Sequence, residues 1–208
     1  MSPRTATLAL DGMVTGHVRT RRAPRSLREC PAMREDGCVG SAAPKVGLSP
    51  DEYLAFERGA DERHEYADGE IFAMSGGTIE HATIAGNIIR DLGVALFGGA
   101  CRVRTSDMRI HIAATGRYVY SDALVVCGPP RFQDDKRDTL LNPRLVVEVL
   151  SDSSEAYDRG DKFAQYRSID SLRTYLLASQ KAPRIEVFLR QPDDSWLLRI
   201  HGPGERAP

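Results

Sequence analysis

Two carboxylates stand where a carboxylate is costly. In Leu145-Val146-Val147-Glu148-Val149-Leu150 an acid sits in the middle of a continuous apolar run. Such a run reads as a strand buried on both faces. An ionised carboxylate there is unfavourable unless a cation pairs with it, a metal binds it, or the strand end opens into a cleft. Asp122 repeats the pattern ahead of Ala123-Leu124-Val125-Val126. Neighbouring strands lie only about 4.8 Å apart, so two such acids can meet at one point. They would then repel each other unless a cation intervenes. Mg²⁺ suits that arrangement, because it takes one or two carboxylates and fills its other positions with carbonyl, water and phosphate oxygens. A structural salt bridge, or a pair of capping carboxylates, is equally open on the pattern alone.

Lys162 follows Glu148 in Asp158-Arg159-Gly160-Asp161-Lys162, at the start of a helical pattern. A helix running back along the strand would bring its ammonium over the carboxylate pair, offsetting their charge and orienting or deprotonating an attacking water. Taken alone, an exposed Asp158–Lys162 pair at i,i+4 is the simpler reading. His81 shares a helical side with Ala85, Ile88 and Leu92, which suits a semi-buried, satisfied histidine as well as a group at a cleft edge. Glu65 and Glu70 read as ordinary strand-edge charges, and Asp107 as a residue supporting the site from behind.

The elements that must position these groups are legible in outline. Ser49-Pro50-Asp51 opens a helix expected to reach residue 58, with Ser49 as its cap. Residues 63–66 and 70–74 form a hairpin around Asp68-Gly69. Apolar spacing predicts a helix over 78–97, stopped by Gly98-Gly99. Extended segments are expected over 101–112, 118–126 and 144–150. A helix over 158–169 packs through Phe163, Tyr166 and Ile169, and strands follow over 173–178, 185–190 and 196–200. This order reads as an α/β (α+β) chain with a mixed central β-sheet flanked by helices.

Composition sets the remaining bounds. The 208 residues are 41% hydrophobic and 27% charged, with a formal net charge of −1, which argues against a protein that coats nucleic acid by bulk charge. No apolar run reaches the ~18 residues needed to span a bilayer. Residues 1–44 hold seven arginines against four acids and show no sustained periodicity. They read as a basic, disordered N-terminal extension that does not carry the chemistry. A basic arm touching nucleic acid, a transit peptide and upstream sequence that adds nothing to the fold are all open for it. The folded domain is expected over 45–208. Cys30, Cys38, Cys101 and Cys127 form no C-x-x-C pair. Cys101 and Cys127 are expected as small core residues without a disulfide framework, in a reducing, cytoplasmic setting.

Taken together, these residues resemble the PD-(D/E)xK nuclease superfamily and, more narrowly, its Uma family of restriction-endonuclease-like proteins. The resemblance runs over roughly residues 48–198. It is carried by Arg63-His64-Glu65-Tyr66-Ala67-Asp68-Gly69-Glu70-Ile71 with Met74, by His81, Ser121-Asp122, Val147-Glu148-Val149-Leu150-Ser151, Asp158-Arg159-Gly160-Asp161-Lys162 with Tyr166, and Tyr175-Leu176-Leu177. Asp122 and Glu148 match the acids of the superfamily's first and second motifs. Ser121 stands where the first motif has proline, and Leu150 where the second has lysine, a role that passes by analogy to Lys162 on the next helix. The resemblance implies a restriction-endonuclease-like core and hydrolysis of phosphodiester bonds, in DNA by expectation, by a Mg²⁺-dependent endonuclease (Mn²⁺ could substitute). Asp122, Glu148 and the carbonyl of Val149 would hold the ion, with Lys162 beside it and Glu80 as an additional acid on the long helix. Arg102, Arg104, Arg109 and Arg159 are the candidate contacts to a nucleic-acid backbone, and a homodimer would serve cutting of both strands. The alternatives are a catalytically inactive nuclease-fold module that binds nucleic acid or a protein, and a glycosidase-like pair of carboxylates that needs neither metal nor Lys162.

Overall fold

Ser49 begins the first helix as its type and position predict. Its hydroxyl accepts the Glu52 N–H at 3.3 Å, while the Glu52 carboxylate accepts the Ser49 N–H at 2.8 Å, and helix α1 (Pro50–Glu57) follows. The computed structural model describes residues 8–9 and 47–207. Of the extension expected over 1–44, only the two-residue strand β1 (Leu8–Ala9) is described; the rest of that expectation lies outside the described residues. Strands β2 (His64–Ala67) and β3 (Glu70–Ala73) form the expected hairpin. Its turn residues Asp68 and Gly69 both have positive φ, 53° and 88°, the backbone that Asp-Gly accepts in a two-residue hairpin loop. Helix α2 (Ile79–Ala95) is capped by Thr78 and buries Ile84, Ile88 and Leu92, the stripe its apolar spacing marks out.

Two segments that read as single strands are each cut in two. Residues 101–112 become β4 (Cys101–Thr105) and β5 (Arg109–Ile112), and residues 118–126 fall into β6 (Arg117–Tyr120) and β7 (Ala123–Cys127). After β8 (Thr139–Leu140) comes the apolar strand β9 (Leu145–Leu150). A short helix α3 (Glu155–Tyr157), a π-helical turn (Asp158–Lys162) and α4 (Phe163–Tyr166) run on without a break, and β10 (Thr174–Ser179), β11 (Ile185–Arg190), β12 (Trp196–His201) and β13 (Arg206–Ala207) end the described chain.

The cuts sort the strands into two main sheets. One is six-stranded, in the order β12-β11-β10-β9-β7-β4, and is antiparallel except where β9 and β10 run parallel. The other is five-stranded, β3-β2-β6-β5-β8. A third pairing joins β1 to β13. Helix α2 covers one face of the six-stranded sheet, over Val125, Val147, Leu176 and Val187. The opposite face is shared: Ile110, Ile112 and Val119 of the second sheet and Tyr166, Ile169 and Leu172 of the α4 region all join Leu124, Val146, Leu150 and Leu177 in one cluster. The second sheet turns its other face to α1 through Tyr66 and Tyr118.

Cys101 and Cys127 correct the expectation of free core thiols. They face each other as the terminal rung of the β4–β7 ladder and form a disulfide, a partnership across 26 residues that no local spacing announces. Closing a loop of that length restricts the unfolded chain, so reduction should lower stability by about 2–4 kcal/mol. Urea unfolding with and without dithiothreitol reads this directly. A Cys101→Ala/Cys127→Ala variant should match the reduced wild type, and equal midpoints for oxidised and reduced protein would refute it.

Candidate active site

The chain changes sheets between Tyr120 and Ala123, and that crossing carries Asp122. The β7–β9 ladder ends at the Ala123–Val147 rung, so Asp122 and Glu148 each stand one residue beyond it. The Asp122 N–H still reaches the Val147 carbonyl at 3.1 Å. The Asp122 side chain leaves the ladder, and its Oδ2 accepts the Val149 N–H at 2.6 Å. The same oxygen lies 3.3 Å from Nε2 of His81, in the first turn region of α2. That hydrogen bond raises the imidazole above its ordinary value despite an opposing effect of burial.

Glu148 points to the shared face, where the cover by the second sheet meets the cover by the α3–α4 segment. Its Oε1 accepts the Tyr166 hydroxyl at 3.1 Å and lies 3.2 Å from Nζ of Lys162. Burial holds its carboxyl well above the usual carboxylate range, Lys162 works the other way, and Asp158, Asp122 and Glu65 reinforce the rise. The Lys162 side chain is only 7% exposed. Its Nζ donates to the Tyr120 carbonyl at 2.8 Å and stands 3.1 Å from Glu65 and 3.8 Å from Asp158. Burial works against the ammonium, but Glu148, Glu65 and Asp158 outweigh it and leave Lys162 raised above an ordinary lysine. The π-helical turn that presents Lys162 also buries Asp158, so this i,i+4 pair is interior rather than a surface decoration.

Asp122, Glu148 and Lys162 are therefore brought together, with His81 joined to them through Asp122. Val149 is buried and gives its N–H to Asp122. Glu80 is exposed in the first turn of α2. Asp107 is an exposed partner of Arg63 at 3.3 Å and touches none of the three. Arg109 must be corrected as a nucleic-acid contact: at 3% exposure it is buried, donating to Thr139 at 3.0 Å and Tyr120 at 3.2 Å, where no backbone could reach it. Arg159 is engaged by Glu186 through both terminal nitrogens and by Glu155 at 2.9 Å. Arg102 and Arg104 are exposed on β4, the outer strand next to β7. Glu65 is the site residue that sequence reading passed over as an edge charge. Its signal was alternation, which places it on the face of β2 opposite to the buried Tyr66.

Among the described residues no three His, Cys, Asp or Glu side chains converge to hold a metal by themselves. A closed site of the zinc type is therefore not built here. The two acids do fit a hard divalent ion of the Mg²⁺ kind, which needs only one or two carboxylates. Asp122 Oδ2 and Glu148 Oε1 carry the hydrogen bonds named above, and their partner oxygens Oδ1 and Oε2 accept none from the described residues. Four acids (Glu65, Asp122, Glu148 and Asp158) face Lys162 and His81, and burial favours the neutral form of Glu148 and Asp158, a preference that a divalent ion beside them would reverse.

Comparison with known proteins gives the family and the fold. A family model, Uma2, described as "Putative restriction endonuclease", matches residues 50–208. An uncharacterized protein of Synechocystis sp., slr1290, is 40% identical over 167 residues, covering 79% of this chain and 86% of its own. A second from the same organism, sll1609, is 36% identical over 151 residues, covering 73% and 85%. Among solved structures, the crystal structure of a putative nuclease belonging to DUF820 from Anabaena variabilis superposes with a TM-score of 0.58 over 73% of this chain and 83% of that one. At 13% identity that likeness is one of fold.

Proposed function

The chain belongs to the Uma2 family of putative restriction endonucleases, and from that premise we propose that it is a Mg²⁺-dependent endonuclease acting on phosphodiester bonds, with DNA as the substrate. The observation that carries the reading is the meeting of Asp122 from the sheet crossing, Glu148 from β9 and Lys162 from the π-helical turn, with Nζ 3.2 Å from Glu148. Asp122 and Glu148 would hold the ion through the oxygens that no described residue hydrogen-bonds. When bound there, Mg²⁺ or Mn²⁺ supplies Lewis acidity to the phosphodiester.

The protein's own groups do the rest. Tyr166 fixes one oxygen of Glu148 and the Val149 N–H fixes one oxygen of Asp122, so each carboxylate presents its other oxygen in a set direction. Lys162 keeps a buried positive charge beside Glu148, placed to orient the attacking water or to offset charge developing on the phosphoryl oxygens. Arg102 and Arg104, exposed on β4 and hydrogen-bonded only to nearby main-chain carbonyls among the described residues, are the arginines we assign to the nucleic-acid backbone. Cutting both strands would call for two copies of the chain. No helix among the described residues is long and apolar enough to cross a membrane; a DNA substrate would place the chain in the cytoplasm, where the Cys101–Cys127 bond would be exposed to reduction.

Calorimetric titration of Mg²⁺, with plasmid nicking on the same samples, tests the reading. The Asp122→Asn variant should lose more than ~100-fold in Mg²⁺ affinity, beyond the range typical of changes to residues behind a ligand, and nicking should vanish with it. Wild-type protein that binds Mg²⁺ without cutting DNA or RNA would favour the inactive binding module instead. Well-folded wild-type protein that binds no divalent ion would sink the mechanism.

A further inference from the structure

We propose that Glu65 is a positioning residue for this site: from the second sheet, it holds the Lys162 ammonium against Glu148 and fixes the crossing segment that carries Asp122. The activity arm of the test rests on the phosphodiester reading; the inference about Lys162 does not.

Lys162 has as many hydrogen-bond acceptors around it as it has donors. An ammonium has three N–H donors. Lys162 meets three acceptors at hydrogen-bond distance: the Tyr120 carbonyl at 2.8 Å, Glu65 Oε1 at 3.1 Å and Glu148 Oε1 at 3.2 Å. Asp158, at 3.8 Å, adds charge but completes no bond. Glu65 Oε1 also accepts the Tyr120 N–H at 3.2 Å. The contacts therefore close a ring in which Tyr120 is gripped at its N–H by Glu65 and at its carbonyl by Lys162, two residues before Asp122. The second oxygen of Glu65 accepts the Tyr157 hydroxyl at 3.2 Å, which stops the carboxylate from turning away.

This ring joins three separately built parts. Glu65 lies on β2, Tyr120 ends β6, and Lys162 and Tyr157 come from the α3–α4 segment. Without Glu65, one donor of a nearly buried ammonium has no acceptor, and a divalent ion on Asp122 and Glu148 would push Lys162 outward by like-charge repulsion. Glu65, 3.1 Å from Nζ, would hold the ammonium against that push.

Lysine methylation with formaldehyde and a mild borane reductant, read peptide by peptide on metal-free protein by mass spectrometry, tests the hold directly. In the wild type Lys162 should react far more slowly than Lys181, whose side chain is 66% exposed. Glu65→Gln should speed Lys162 at least fivefold and leave Lys181 unchanged. Tyr157→Phe should move it in the same direction by less, and it carries the test if Glu65→Gln does not fold. In nicking assays Glu65→Gln should lower kcat at least tenfold while Mg²⁺ affinity stays within threefold of wild type, and Glu65→Asp should recover part of kcat. Unchanged methylation of Lys162 in both variants would overturn the proposal. So would a loss of Mg²⁺ affinity above tenfold, which would make Glu65 a ligand rather than a support. If the wild type cuts no nucleic acid, the phosphodiester reading falls and the methylation result alone decides the role of Glu65.

Discussion

Replacing Lys162 with methionine will destabilise the protein by about 3–5 kcal/mol and abolish nicking. The size follows from what is left behind. Methionine fills the same volume, but Glu65, Glu148 and Asp158 all lie within 4 Å of the lost ammonium. Glu148 and Asp158 are almost wholly buried, and removing one partner of a buried ion pair strands the other charge. Part of the cost can be relieved by protonation, since burial already pushes both carboxyls upward and Lys162 is what restrains them. Urea unfolding at pH 7 measures the loss. A variant as stable as wild type would mean that these carboxylates are neutral in the native protein and that Lys162 compensates nothing.

Glu148→Gln should have the opposite effect on stability and the same effect on activity. The amide keeps the shape, its carbonyl can still accept from Tyr166 and Lys162, and its NH₂ takes the place of an oxygen that no described residue hydrogen-bonds. What disappears is the cost of ionising a buried carboxyl. In the metal-free protein the folded Glu148 carboxyl lies well above its unfolded value of about 4.5. Between those two values the folded state holds more protons than the unfolded state. The contribution of Glu148 to wild-type stability must therefore fall as pH rises through that window. The Gln variant lacks this slope, so its advantage should grow from pH 4.5 upward when both are unfolded in the presence of a chelator. Nicking should drop by three orders of magnitude or more, because one of the two acids proposed to hold the ion has lost its charge. A variant that is less stable than wild type at pH 7 would show Glu148 to be a net stabilising partner of Lys162. A variant that still cuts would remove Glu148 from the chemistry.

The opposite signs expected at two residues 3.2 Å apart reflect a site kept at some cost to the fold. An ammonium and several carboxyl groups have been taken out of water, and the carboxyls outnumber the cations that face them. Ionising the buried ones is unfavourable, and the divalent ion proposed above would offset that cost.

Some of this was readable along the chain because it depends on near neighbours. The Ser49 cap, the Asp68-Gly69 turn and the Ile84, Ile88, Leu92 stripe are set by contacts within a few residues, and each element lies where its pattern puts it. Glu148 was legible for a related reason: a carboxylate inside Leu145–Leu150 conflicts with the burial that its neighbours demand. The family, too, could be recognised from the order of its motifs.

What the tertiary structure alone decided were the partners. Tyr118 to Val126 reads as one strand because only Ser121 and Asp122 interrupt its apolar residues, yet the chain crosses between sheets at those two positions, and it is the presence of two sheets to join that makes the break favourable. Arg102 and Arg109 are the same residue type on strands consecutive in the chain but in different sheets, one facing solvent and the other enclosed with Tyr120 and Thr139. The Cys101–Cys127 bond follows from a ladder register, and Glu65 becomes part of the site because β2, β6 and the π-helical turn meet there. Periodicity states which face of an element is buried. It does not state what covers that face, since the covering residues lie tens of positions away and are brought there by the packing of the whole chain.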